Sequence, residues 1–153
     1  MKALLVLAPI LLAAAPQAAP QAALPPLASV DGLPIGAIPR QDLPAKGCAA
    51  YLWTASGTRA LVAMAVADPA RLRLSIGGTL TDLDRSAQVG ASGFGFAEKN
   101  EYGGGALVAK LTMKIEARAS ISAGAIVPEG LLQIDRAGQD TIMLPVAGII
   151  GCA

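Results

Sequence analysis

Two cysteines and no histidine set the limits of the chemistry open to this 153-residue chain. Histidine is the commonest general base and the usual partner of a serine nucleophile, so the ordinary triad is absent. No G-x-S-x-G occurs, and Ser75, Ser92 and Ser120 have no lysine at a recognisable spacing. Zinc takes about four nitrogen or sulfur ligands, more than Cys48 and Cys152 supply. In an oxidising compartment these two thiols have one intramolecular connectivity, Cys48 to Cys152. A bridge closing a loop of about 100 residues constrains the unfolded chain by up to about 4.7 kcal/mol. Because Cys152 stands one residue from the end, the bridge should tie the first core strand to the last, with Ile149 and Ile150 as the final buried residues.

Carboxylates offer a second chemistry. "TDLDRS" carries Asp82 and Asp84, and a D-x-D spacing on a loop can donate oxygens to Ca²⁺. A full site needs about 6 to 8 oxygens, and neither the glycine nor the closing glutamate of an EF-hand follows. A solvated loop or a helix N-cap is the simpler reading, and neither a metal nor a cofactor is expected.

"GASGFGFAEKNEYGGG" is the most unusual stretch. Gly93-x-Gly95 superficially resembles a phosphate loop but lacks the strand-to-helix context and the Lys-Ser/Thr ending. Glu98 and Glu101 suggest the paired carboxylates of a glycosidase, which stand about 5 to 9.5 Å apart. Sugar sites also need aromatic platforms, and only Tyr51, Trp53, Phe94, Phe96 and Tyr102 are present. The stretch from Gly90 to Gly105 is therefore expected to be a mobile hairpin loop anchored by its two phenylalanines. As a contact surface it would offer Phe94, Phe96, Glu98, Lys99, Asn100, Glu101 and Tyr102.

The elements that carry these residues are strands. "ALVAKLTMKIEARASIS" places Leu107, Ala109, Leu111, Met113, Ile115, Ala117, Ala119 and Ile121 at odd positions and polar residues between them, the pattern of a half-buried antiparallel strand. It exceeds the usual 3 to 10 or so residues, so a bulge or break is expected near Arg118 to Ser120. "ARLRLSIGGTLT" repeats the alternation, with Leu72, Leu74, Ile76 and Leu80 on one face. "RALVAMAVA" lacks it and suits a central strand covered on both sides. Ser56-Gly57 and Ala137 to Gln139 read as hairpin turns, and "DLDRSAQ" is the one candidate for a short helical turn. Tyr51 and Trp53 are expected to pack on the disulfide, by analogy with other disulfide-bearing sandwiches.

The chain's bulk properties bound the rest. About 150 residues make one domain. The apolar fraction is 54% and the charged fraction 15%, but much of the excess is alanine and a leader. Lys2, an apolar run to about Ala15 and small residues after it have the layout of a secretory signal peptide over 1–23, cleaved after one of Ala18 to Ala23. Pro9, Pro16 and Pro20 make the run too short for a stable membrane span. Seven of the eleven prolines fall between Pro16 and Pro44, so 24–46 reads as an extended arm or linker. Within it Leu33, Ile35, Ile38 and Leu43 are spaced to lie against a folded body over 47–153. Net charge is +1 for the precursor, without the basic footprint that nucleic acid requires.

The expected fold is thus an all-β antiparallel sandwich, or a small barrel, of about seven to eight strands closed by one disulfide. The expected function is that of an exported, periplasmic or secreted, non-catalytic module that binds a protein partner of the cell envelope through the Gly90 to Gly105 loop. Two alternatives are a barrel carrying a small apolar ligand and a hydrolase with a carboxylate pair.

Overall fold

Period-two alternation decides most of this architecture. The computed structural model describes residues 27–153, so the expected leader and the start of the arm lie outside the described residues. The strands are β1 (Ile35–Gly36), β2 (Cys48–Thr54), β3 (Leu61–Val66), β4 (Arg71–Ile76), β5 (Thr79–Gly93), β6 (Phe96–Gly104), β7 (Leu107–Glu116), β8 (Gly124–Arg136) and β9 (Ile142–Cys152). From β2 onward each pairs antiparallel with the next, and β9 returns to pair with β2. The result is a closed eight-stranded barrel, with β1 added at the end of β4. The all-β antiparallel fold with one disulfide is as expected, and of the two expected architectures the chain takes the barrel. Closure leaves no free sheet edge along the fully paired length.

An eight-stranded barrel is just wide enough for side chains to fill it. The fit here sets small residues against large ones: Ala63 faces Leu74, Ala65 faces Leu72 and Ala50 faces Ile150. All six are buried, as are Leu83, Leu111, Leu132 and Ile134. Each such leucine or isoleucine contributes about 1.5 to 3 kcal/mol by leaving water. Outward positions of β4 and β5 carry charge: the Arg73 guanidinium grips Asp82 through two hydrogen bonds of 2.7 and 2.8 Å, and Arg71 donates to Asp84 at 2.9 Å.

Residues 27–46 lie on this body. Val30 and Ile35 are fully buried, and Leu33 and Ala37 pack against the same core. Gly77 N–H donates to Pro34 O at 3.0 Å and Thr58 N–H to the Asp31 carboxylate at 3.2 Å, which seats the segment at the end of the barrel where the β2–β3 and β4–β5 turns lie. Ile38 then crosses to the outside and joins Ala49, Tyr51 and Met64 in a second apolar cluster. The Tyr51 hydroxyl donates to Asp42 O at 2.9 Å and Arg73 donates to Gln41 at 3.0 Å. So β3 is covered on both sides, as its unbroken apolar run implies. Leu43 remains half-exposed.

Cys48 and Cys152 are directly opposed across β2 and β9 and are bonded. Several local expectations need correction. Tyr51 and Trp53 do not pack on the disulfide: an odd offset from Cys48 turns them to the outer face. Ile150 is buried, but its neighbour Ile149 points outward and is 49% exposed. "ARLRLSIGGTLT" is a hairpin rather than one strand, with Gly77 and Gly78 at φ 55° and 83° forming the turn, so Leu80 opposes Ser75 on the outside. "DLDRSAQ" is part of β5 and not a helical turn, because Leu83 fills the interior while Asp82 and Asp84 meet arginines across the ladder. The alternating stretch after Leu107 stops at Glu116, slightly before the expected break, and residues 117–123 form the connection to β8.

Candidate functional site

The glycine-aromatic stretch is strand on both sides of a tight turn. Phe94 and Gly95, at φ 58° and 84°, form a two-residue turn between β5 and β6, so the expected loop from Gly90 to Gly105 is instead the end of β5, the turn and the whole of β6. Gly90, at φ 100°, sits where the register shifts between Val89 and Ser92, and another shift falls between Arg85 and Ala87. Such bulges bend a strand. The tip accordingly leans onto the β3–β4 turn, where Gly95 abuts the Ala67 side chain and Arg85 donates to Gly95 O at 2.8 Å.

This bend separates the residues singled out in the sequence. Phe96 and Tyr102 are fully buried in the barrel, and Phe94 packs against the same core, so both phenylalanines anchor the hairpin. Asn100 is buried as well: its carboxamide accepts from Ala97 N–H at 3.1 Å and donates to Ala97 O at 2.7 Å. Burial pushes the Tyr102 phenol up to about 12, against a smaller downward pull from Arg85. Phe96, Asn100 and Tyr102 are therefore structural and not exposed contact residues. Glu98, Lys99 and Glu101 remain at the surface.

The glycosidase-like pair is not assembled. Glu101 lies outward beside Lys110 and Ser86, whereas Glu98 borders Gly90 and a cleft on the other side of the strand. Asp82 and Asp84 are likewise engaged by Arg73 and Arg71 rather than turned toward a shared centre. The Arg73 hydrogen bonds hold the Asp82 carboxyl below its ordinary range, outweighing partial desolvation. Lys99, Glu101, Lys110 and Gln133 line a shallow depression of about 390 Å³ on the outer face, where Lys110 reaches Asp135 at 3.5 Å.

What the bend creates is a cleft of about 680 Å³ between the hairpin tip and β7–β8. Its walls are Ala91, Phe94, Met113, Ile115, Ala117 and Leu131, and its rim carries Glu98, Lys114 and Glu129. Lys114 lies 3.0 Å from Glu116 and holds that carboxyl below its ordinary range, with Arg118 at 2.9 Å adding to the effect. Glu98 and Glu129 enter no ion pair among the described residues. An apolar floor with a charged rim is an arrangement that suits binding.

Met113, Ile115, Glu129 and Leu131 were not singled out from the sequence. Their stretches read as ordinary strand, and the cleft arises only because β6 bends away from β7. The one advance signal was the excess length of the alternating segment after Leu107. Comparison with protein-family models, with curated proteins and with solved structures finds no match.

Proposed function

We propose that this chain is an exported, non-catalytic binding module of the periplasm or the extracellular space, and that it engages a protein partner through the cleft between the β5–β6 hairpin and β7–β8. The cleft itself carries the reading, since its apolar walls and charged rim are the makeup of an interface core and its border. A disulfide fits an oxidising compartment. Most apolar side chains of β4 to β7, Leu80 and Val89 excepted, turn inward while the paired charges of β4, β5 and β7 turn outward, unlike the continuous apolar band of a lipid-facing barrel. A hydrolase built on Glu98 and Glu101 draws no support from their separation.

A photo-crosslinking residue at Lys114 on the rim, compared with one at Arg71 on another part of the barrel wall, tests this in the producing cell. Protein adducts from Lys114 and none from Arg71 are expected; no adduct, or the same adducts from both positions, refutes it. A carrier of a small apolar ligand is the second reading, because the volume of about 680 Å³ falls in the range of about 300 to 1,000 Å³ typical of ligand sites. A small molecule retained in native mass spectrometry and displaced from Leu131→Glu would favour it.

A further inference from the structure

β7 outruns the strand beside it. Its ladder with β6 ends at Lys99–Thr112, yet β7 continues to Glu116 against β8 alone. The hydrogen bond from Ala137 N–H to Ala106 O fixes the phase of the backbone. Main-chain groups alternate sides along a strand, so even-numbered residues of β7 turn theirs to β8 and odd-numbered ones to β6. Beyond Thr112, the Met113 main chain is still used in pairing Lys99 with Thr112, and it is the N–H and C=O groups of Ile115 that face the cleft with no strand opposite among the described residues. Beyond Glu98, β6 offers nothing to β7, because the Asn100 side chain already occupies the main-chain groups of Ala97.

An unpaired strand edge beside an apolar floor is completed by another strand. We infer that the cleft receives an extended segment of a partner protein as an added strand on the free edge of β7, and that this segment alternates apolar with basic side chains. The inference rests on the binding reading above and names its mode. Main-chain bonds to Ile115 supply register. Apolar side chains of the guest turn inward to Phe94, Met113 and Ile115, and a basic one meets Glu98. Glu98 enters no ion pair among the described residues, whereas Glu129 stands across the ladder from Lys114, and Lys114 and Arg118 share Glu116. The open stretch, from Lys114 to Glu116, matches a guest of about three or four residues at roughly 3.4 Å each.

A displayed library of random peptides of about eight residues, selected against the whole disulfide-bonded chain, is the probe. Enrichment of alternating apolar and Lys/Arg sequences is expected. N-methylation of the central peptide amides should weaken binding about tenfold or more, the worth of one to two lost hydrogen bonds. Ile115→Pro should weaken it by a similar factor relative to Ile115→Val, which reports the side-chain change alone. Proline is tolerated there because the Ile115 N–H is not used by β8. If circular dichroism shows Ile115→Pro unfolded, the N-methylated peptides carry the same decision. No enrichment, or binding indifferent to N-methylation, overturns the strand mode. Protein crosslinks from Lys114 alongside that indifference would leave the binding reading standing and remove only the added strand; failure of both experiments removes both.

Discussion

Removing one oxygen atom from the barrel interior should make this protein more stable. The Tyr102 side chain is fully buried and its hydroxyl has no hydrogen-bond partner among the described residues. A buried hydroxyl left unpaired costs about 1 to 3 kcal/mol, so Tyr102→Phe, which keeps the ring, should gain about 1 kcal/mol at pH 7. A second effect appears in alkali. Burial raises the phenol from 10.0 to about 12, so the unfolded chain ionises first and the folded one later. Stability present below about pH 10 is then lost as pH rises through the window up to about 12, by about 2 kcal/mol at pH 11.5 and about 2.7 kcal/mol in all. Tyr102→Phe lacks that loss. Tyr51, whose phenol is also raised by burial, is present in both proteins and cancels from the difference. Urea unfolding followed by Trp53 fluorescence, at pH 7 and in steps to pH 11.5, measures both effects. With a slope of about 1 to 3 kcal/mol per molar, the midpoint should rise by about 0.5 M at pH 7, and the gap should widen in alkali. A variant less stable than the parent at pH 7, or two alkaline curves running parallel, would mean that the hydroxyl is paired inside the barrel.

Four further outcomes are expected. Replacing both cysteines with serine opens a loop of sequence separation 104 and should cost up to about 4.7 kcal/mol in urea unfolding; a loss under about 1 kcal/mol would show that β2 and β9 are held together even in the denatured chain. Gly148→Ala puts a methyl group into the Tyr51 carbonyl and should cost at least about 3 kcal/mol in the same assay, while Gly103→Ala, with nothing within 4 Å, serves as its comparison. Asn100→Ala leaves the Ala97 N–H and C=O without their buried partners and should cost about 2 to 4 kcal/mol by thermal unfolding. Arg73 holds Asp82 below its ordinary 3.8, so that pair contributes stability above about pH 4 that fades on acidification; both side chains are over a third exposed, so Asp82→Asn should change acid unfolding by less than about 1 kcal/mol.

The features that could be read in advance are those encoded by neighbours in the chain. Alternation in "LVAKLTMKIE" reports one dry and one wet face, and β7 has both. The unbroken run in "LVAMAV" reports two dry faces, and β3 has the barrel core on one side and Ile38 with Tyr51 on the other. The pairing of Cys48 with Cys152 followed from there being no third thiol. Sandwich and barrel could not be separated this way, since both use the same strands and turns. What separates them is whether β9 meets β2, a pairing across almost the whole described chain.

The site shows where local reading stops. Glycine at 90, 93, 95 and 103 to 105 suggests loop, because glycine weakens strands and frees the backbone. Here Gly90 forms a bulge and Gly95 a two-residue turn, while Gly93, Gly103 and Gly104 lie within paired strands. The same composition therefore bends a hairpin where a mobile tip was expected. That bend removes β6 from the side of β7 and exposes the edge at Ile115, so the cleft depends on a register shift and not on any residue able to announce it. Asn100 stood in the stretch as one more polar residue, yet its side chain stands in for the missing strand by closing on Ala97. A buried asparagine thus satisfies its own strand's backbone beside the point where β6 leaves β7, a role that shows only once the register of the hairpin is known.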